Sequence, residues 1–98
     1  MMFKMRKKDE IETEANIAWN KVWYDRHQVN MQNVRRKKDK NPQSIKFIKA
    51  GEKIAKKLEK KYGKKNLGPY SKFDWGMLNG RLETLNWVLG EDWGMLDT

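Results

Sequence analysis

The lysines between residues 46 and 64 recur at helical steps of three and four residues, and a row of ammonium groups can neutralise a row of anions. With successive residues 100° apart, these lysines fall within an arc of about 140°. The set is Lys46, Lys49, Lys53, Lys56, Lys57, Lys60, Lys61 and Lys64. Like charges on one face repel one another, and a phosphate backbone relieves that repulsion while counterion release supplies affinity. The spacing therefore predicts a polyanion-binding face, and the alternative interpretation is a solvated face that confers solubility.

A second basic segment, "RRKKDK" at residues 35–40, directly precedes the lysine-rich stretch. Together they form one continuous cationic zone, although a short basic run is also typical of a polar linker. Lysine without interleaved arginine or aromatic residues indicates charge attraction rather than base readout. We therefore predict binding of nucleic acid, DNA or RNA, with low sequence specificity. The predicted phosphate contacts are Lys49, Lys53, Lys56, Lys57, Lys60 and Lys64, extended by Arg35, Arg36, Lys37 and Lys38.

An alternative partner for the same face is an acidic protein surface, including one that normally binds nucleic acid. The chain would then be a protein-interaction module, such as an inhibitor or adaptor. Its affinity for one protein would exceed its affinity for nucleic acid, because charge complementarity between two proteins also selects the partner.

The segment "WYDRHQ" places Asp25, Arg26 and His27 together, which raises the possibility of acid–base catalysis. His27 is the only histidine and the chain has no cysteine. A metal site needs three or four ligands, and a general base needs a nucleophile and an orienting partner. Asp25 and His27 would also lie on different sides of a helix. We therefore predict no enzymatic activity, metal or cofactor, and a surface or half-buried structural histidine.

Composition and charge indicate one small domain. The 98 residues carry a net charge of +9, of which residues 35–65 contribute 14 basic and 3 acidic side chains, residues 1–34 a net +1, and residues 66–98 a net −3. Eleven per cent aromatic residues, including five tryptophans, argue against disorder. The absence of cysteine, of an apolar run of ~20 residues and of a signal-peptide pattern predicts a cytoplasmic protein without a membrane partner.

Three helices are expected to position these residues. Apolar residues spaced by three and four predict a first helix from Lys8 to Val34, with the stripe Ile11, Ala15, Ala18, Val22 and Val29. A basic loop over residues 35–44 leads to a second helix that begins at Asn41 or Ser44 and ends at Tyr62 before Gly63. Its stripe is Ile48, Ala55, Leu58 and Tyr62, flanked by Ile45, Phe47 and Ile54.

Ser71 is expected to cap a third helix that ends at Gly90, with the stripe Trp75, Leu78, Leu82, Leu85 and Leu89. Residues 91–98 form a short acidic tail whose Trp93, Met95 and Leu96 could fold back. The predicted fold is all-α, a small three-helix bundle with a basic amphipathic middle helix and a short C-terminal tail. It forms a single helical domain over residues 1–98.

The positions of glycines and tryptophans predict where helices or partner molecules contact one another. Gly76 and Gly80 lie four residues apart in the third helix, which predicts close approach of a backbone, either the first helix or a partner's helix. Five tryptophans exceed what so small a core can enclose. We expect Trp19, Trp75 and Trp87 in the core and Trp93 as an interface anchor, and the surplus of aromatics is typical of a homo-oligomer.

The C-terminal stretch "YGKKNLGPYSKFDWGMLNGRLETLNWVLGEDWGMLDT" resembles a signature of small uncharacterised proteins of bacteria and their phages. In that family a tyrosine-glycine pair, "LGPYS", "WGMLNG" and "WVLG..W..LDT" follow one another in the same order. The resemblance covers residues 62–98 and implies a shared fold element. It also implies that the cytoplasm is the bacterial cytosol or that of a phage-infected cell, and that the alternative inhibitor or adaptor is phage-encoded. It implies no activity, and no functional residue is carried over from it.

Overall fold

The structure is a computed structural model, and it describes residues 3–36 and 40–94. Three α-helices account for most of these residues: α1 (Lys8–Arg35), α2 (Pro42–Tyr62) and α3 (Lys72–Val88). A single 3-10 turn over Lys64–Asn66 follows α2, and no strand occurs in the two described ranges. The predicted small all-α, three-helix fold is therefore confirmed.

The helix ends form where local chemistry predicts them. The Asn41 side chain accepts a hydrogen bond from the backbone N–H of Gln43 at 2.9 Å, with Pro42 as the first helical residue. Ser71 likewise accepts from the N–H of Asp74 at 3.1 Å. Gly63 ends α2 with a φ of 81°, a left-handed value that favours glycine.

The predicted basic loop over residues 35–44 overlaps both neighbouring helices. Arg35 is the last residue of α1, and residues 42–44 already belong to α2, because Asn41 caps that helix and Pro42 is its first residue. Residues 37–39, and with them Lys37 and Lys38, lie outside the described residues.

The chain divides into two compact units that share α1. The central unit is Asn20–Pro69, and the terminal unit joins the residues up to Trp19 with those from Tyr70. The core of the central unit consists of Tyr24, Ala55, Leu58 and Leu67, with Trp23 and Tyr62 packed against it.

Two side-chain hydrogen bonds fix the pairing of α1 and α2 within the central unit. The Tyr24 hydroxyl donates to Oε2 of Glu59 at 2.5 Å, and the Asn20 amide donates to the Tyr62 hydroxyl at 3.4 Å. Burial, together with the hydrogen bond to the Glu59 carboxylate, raises the pKa of Tyr24 to about 12. The donors are one helical turn apart on α1, and the acceptors are three residues apart on α2. Both hydrogen bonds therefore form at the same alignment of α1 against α2.

In the terminal unit, the first half of α1 and the helix α3 bury small and aliphatic side chains. Ala15, Ala18 and Leu78 are buried. The remaining residues of the predicted α3 stripe are half-buried, namely Trp75, Leu82, Leu85 and Leu89. A groove of about 490 Å³ lies between the first turns of α1 and Leu85. The predicted stripe of α3 therefore faces inward, although only Leu78 is fully covered.

Several large side chains expected in the core are exposed. Trp19 and Trp87 are 52% and 50% exposed, and Val29 is also exposed. Trp19 lies at the margin of the core of the terminal unit, where it lines a groove of about 290 Å³ together with Ala15 and Leu89. The assignment of Trp19 and Trp87 to the core was wrong, while Trp75 is half-buried.

The start of the C-terminal tail folds back on α3. The indole rings of Trp93 and Trp87 stack, with centroids 5.1 Å apart and planes inclined by 10°. The backbone N–H of Gly94 donates to Oε2 of Glu83 at 2.7 Å. Residues 91–94 are thus attached to α3 by one ring contact and one hydrogen bond, whereas Met95 and Leu96 lie outside the described residues.

None of the helices in the described ranges is long and apolar enough to cross a membrane.

Candidate nucleic-acid interface

The lysines of α2 occupy the helix face opposite its buried stripe. Gly51, Ala55 and Leu58 are the buried residues of α2, and they face the core of the central unit. Rotating by 100° per residue places the lysines on the other side, within an arc of about 140° that contains no acidic residue. All of these lysines are exposed: Lys46, Lys49, Lys53, Lys56, Lys57, Lys60 and Lys61. We call this surface, together with the exposed Lys64 of the 3-10 turn, the lysine face.

Within residues 3–36 and 40–94, no ion pair neutralises the charge of the lysine face. The salt bridges in the described residues join Arg6 to Glu10 at 3.3 Å and Lys8 to Glu12 at 3.7 Å, both at the start of α1. Of the two acids on α2, Glu59 accepts the Tyr24 hydrogen bond and lies on the inner side. The ammonium groups of the lysine face are therefore available to an external anion.

Arg35 lies next to one end of this face. Arg35 and Lys49 line the same small groove of about 170 Å³, between the end of α1 and the start of α2. Arg36 follows in the turn after α1 and is exposed. Of the predicted extension, Arg35 is thus brought to the lysine face.

Two exposed apolar residues of α2 border the lysine face, and the sequence interpretation had placed them beside the buried stripe. Phe47 is 77% exposed and Ile54 is 51% exposed. On the helical wheel they fall between the lysines and the buried residues, and Ile54 precedes Lys57 by one turn. The sequence contained this signal, because helical rotation alone places Phe47 and Ile54 within about 40° of Lys61. The lysine face therefore has an aromatic ring at its edge.

Phe47 also lines a groove of about 470 Å³ beside His27. The other lining residues are Trp23, Arg26, His27, Asn30, Ser44 and Ile48. His27 is only 6% exposed, which corrects its prediction as a surface or half-buried residue. Its ring stacks on Trp23, with centroids 4.9 Å apart, and its Nε2 is buried without a hydrogen-bond partner among the described residues.

Burial lowers the pKa of His27 below its usual 6.5, and the nearby charge of Glu52 acts in the opposite direction. In the unfolded chain the imidazole binds a proton at a higher pH than in the folded chain. The free energy of unfolding should therefore fall as the pH decreases below about 6.5, by up to ~1.4 kcal/mol per pH unit for this group. The free energy of unfolding stops falling once the pH is below the pKa of His27 in the folded chain.

Urea unfolding at a series of pH values measures this dependence, and NMR titration of the one histidine measures its pKa directly. Asp25 contributes to the pH dependence of stability with the opposite sign, because burial raises its pKa from 3.8 and its protonation therefore favours the folded chain. A His27 pKa of 6.5 or above in the folded protein would contradict the prediction.

No group of three histidine, cysteine, aspartate or glutamate side chains in the described part of the chain could hold a metal ion.

The predicted interface glycines of α3 have open space beside them. A Cβ added at Gly76 or Gly80 would meet no atom within 4 Å. At Gly51, by contrast, an added Cβ would lie 3.0 Å from Cε1 of His27. The expectation that the first helix packs against Gly76 and Gly80 was wrong, because α3 presents its leucine side, not its glycine side, to the core of the terminal unit.

Comparisons with known proteins give no match to this chain. No protein family matches the chain, and no curated protein or solved structure is significantly similar to it. The relationship suggested by residues 62–98 therefore stays a prediction, and the functional argument depends on the geometry of the surfaces.

Proposed function

We propose that this protein is a non-enzymatic nucleic-acid-binding protein that contacts the phosphate backbone through its lysine face with low sequence specificity. The observation that carries the proposal is the row of exposed lysines on α2, on the side opposite the buried stripe and without ion pairs in the described residues. Binding a phosphate backbone replaces the mutual repulsion of these ammonium groups by attraction and releases condensed counterions.

The contacts we assign are those of a charged surface rather than a base-reading element. Lys49, Lys53, Lys56, Lys57, Lys60 and Lys64 contact phosphates, with Arg35 beside Lys49 and Arg36, Lys37 and Lys38 extending the contact. An ammonium group is a point charge on a flexible stem, without the planar fork of arginine, so it responds to the charge of a phosphate more than to the pattern of a base edge. Low sequence specificity follows.

The position of Phe47 supports a preference for single strands. An exposed aromatic ring beside a cationic groove lets an unpaired base stack on it, whereas a base inside a duplex is already stacked. Phe47 is exposed, borders the lysine face and lines the groove beside His27. Single-stranded DNA or RNA is therefore the expected better ligand.

A second candidate function is docking on an acidic protein surface, as an inhibitor or adaptor would do. The observation that favours it is Ile54, an exposed aliphatic residue beside the lysines that offers nothing to a phosphate backbone. Apolar contacts of this kind, surrounded by charged groups, are typical of protein interfaces.

Salt titration of binding distinguishes these candidates. Fluorescence anisotropy with a random duplex and a random single strand should show log K falling linearly with log salt, by about 0.9 per duplex contact and about 0.7 per single-strand contact. Phe47→Ala should lower single-strand affinity roughly tenfold and leave the salt slope unchanged, because stacking contributes about 1–3 kcal/mol per base.

Ile54→Ala is the matched control, since it removes an exposed apolar side chain at the same edge without removing a ring. Equal losses for the two variants would contradict the stacking role of Phe47. Binding that is insensitive to salt, or tight binding to one acidic protein with none to nucleic acid, would favour the second candidate.

A further inference from the structure

The helix α3 has apolar residues on two opposite sides. Its inner side carries the leucine stripe of the terminal unit. Its outer side, within an arc of about 120°, carries residues that are all exposed and uncharged. These residues form what we call the outer face of α3: Phe73, Gly76, Met77, Gly80, Thr84, Trp87 and Val88.

A helix that is apolar on both sides is normally covered on both sides. On the outer face of α3, however, Phe73 is 74% exposed, and Met77, Trp87 and Val88 are about half exposed. Trp93 extends the same surface, because its ring stacks on Trp87 and is itself more than half exposed. Contiguous exposed apolar surface of this kind marks an interaction site.

Charge indicates which partner fits. The outer face of α3 contains no charged residue, and its two edges carry Lys72 with Glu83 and Arg81 with Asp74, so the surroundings sum to zero. A polyanion or an acidic partner would gain nothing here and would be attracted to α2 instead. A second copy of this chain meets no repulsion on this side, although the chain as a whole carries +9.

Five of the seven residues of the outer face are placed symmetrically about Gly80, which is itself the central one, and the other two are not. Phe73 and Trp87 lie seven residues before and after it, and Gly76 and Thr84 lie four residues before and after it. Two copies of α3 that pair antiparallel about Gly80 therefore place each Phe73 against Trp87 of the second copy. The small residues meet in the middle, where they allow the backbones to approach closely. A self-complementary patch of this kind is what a two-fold symmetric dimer requires.

We infer that the outer face of α3 is a self-association surface, through which two copies of the chain pair by antiparallel α3 helices centred on Gly80. The inference is independent of nucleic-acid binding. The exposed apolar side chains present on the order of 450 Å² per copy, given that aromatic residues bury about 150–250 Å² each. Two copies thus bury roughly 900 Å², less than the ~1,200 Å² of standard specific interfaces, so the dimer is weak and forms only at high protein concentration.

Sedimentation equilibrium of the full chain without nucleic acid measures this association. Gly80→Leu should weaken dimerisation at least tenfold, because the added side chain separates the helices. It should leave the far-UV circular dichroism of the monomer unchanged, because the space beside Gly80 is open. Ala50→Leu, at an exposed position of α2, is the matched control and should leave dimerisation unchanged.

Cross-linking tests the register, since the natural chain has no cysteine. At the centre of a symmetric antiparallel pair each residue 80 faces its own counterpart, so Gly80→Cys should form a disulfide-linked dimer on mild oxidation with diamide. Ala50→Cys should not. A chain that stays monomeric up to millimolar concentration, a dimer unaffected by Gly80→Leu, or equal cross-linking of the two cysteine variants would overturn the inference.

Discussion

Simultaneous replacement of Lys53, Lys56, Lys57 and Lys60 by glutamine is expected to lower duplex affinity by three to four orders of magnitude at about 0.1 M salt. Each phosphate contact contributes about 0.9 to the slope of log K against log salt, so four lost contacts should reduce that slope by roughly 3.6. The measurement is a salt titration of the variant and the parent with the same random duplex.

The fold should not change in this variant. Glutamine is nearly as good a helix former as lysine, and its amide removes like-charge repulsion between neighbouring turns of α2. None of the four lysines forms an ion pair in the described residues or is buried. Thermal stability should therefore hold or rise slightly, which far-UV circular dichroism can follow.

A charge-matched control separates the lysine face from net charge. Replacing four other exposed lysines, Lys4, Lys7, Lys8 and Lys72, by glutamine also lowers the net charge from +9 to +5. This control variant should keep most of the parent's affinity and salt slope. If both variants lose affinity equally, the affinity for nucleic acid depends on the net charge of the protein and not on the lysine face. If neither loses it, the lysine face is only a solvated surface.

Leu67→Ala is expected to lower the free energy of unfolding by about 2–5 kcal/mol, because it removes a buried leucine and leaves a cavity. Leu67 is the most buried side chain, 1% exposed, in the cluster with Tyr24, Ala55 and Leu58. Small domains have only about 5–15 kcal/mol of stability, so the variant should be partly unfolded at moderate temperature. Urea denaturation followed by circular dichroism measures the change.

Two controls accompany this variant. Leu82→Ala removes a half-buried leucine and should cost less, and Phe73→Ala removes an exposed ring and should leave the stability of the monomer nearly unchanged. If Leu67→Ala lowers the free energy of unfolding as little as we expect for Phe73→Ala, Leu67 is not part of a core.

The helix boundaries were predictable because they depend on neighbouring residues. Asn41 before Pro42, Gly63 after Tyr62 and Ser71 before Asp74 are short-range signals, and each is found at a helix end in the structure. The lysine face was predictable for the same reason, since helical rotation alone separates Lys53 and Lys57 from Ala55 and Leu58.

The choice between two apolar sides was not predictable from the helix alone. On α3, Leu78 and Trp87 are both apolar, and only packing against another element decides which side is covered. Leu67 shows the opposite case: it lies in a turn-forming segment, yet it is the most buried side chain of the central unit. A base-stacking role for Phe47 was not predictable, because a large apolar residue near a buried stripe is ordinarily assigned to the core.

The continuity of α1 has a consequence for how the protein unfolds. Its 28 residues run without a break from the terminal unit into the central unit, so one of the two chain connections between the units is helical, and the other is the segment at Pro69 and Tyr70. Helix formation is cooperative, and a turn that loses its packing also weakens the adjoining turns. We therefore expect that loss of packing at either end of α1 weakens the helical hydrogen bonds on both sides of the boundary between Trp19 and Asn20.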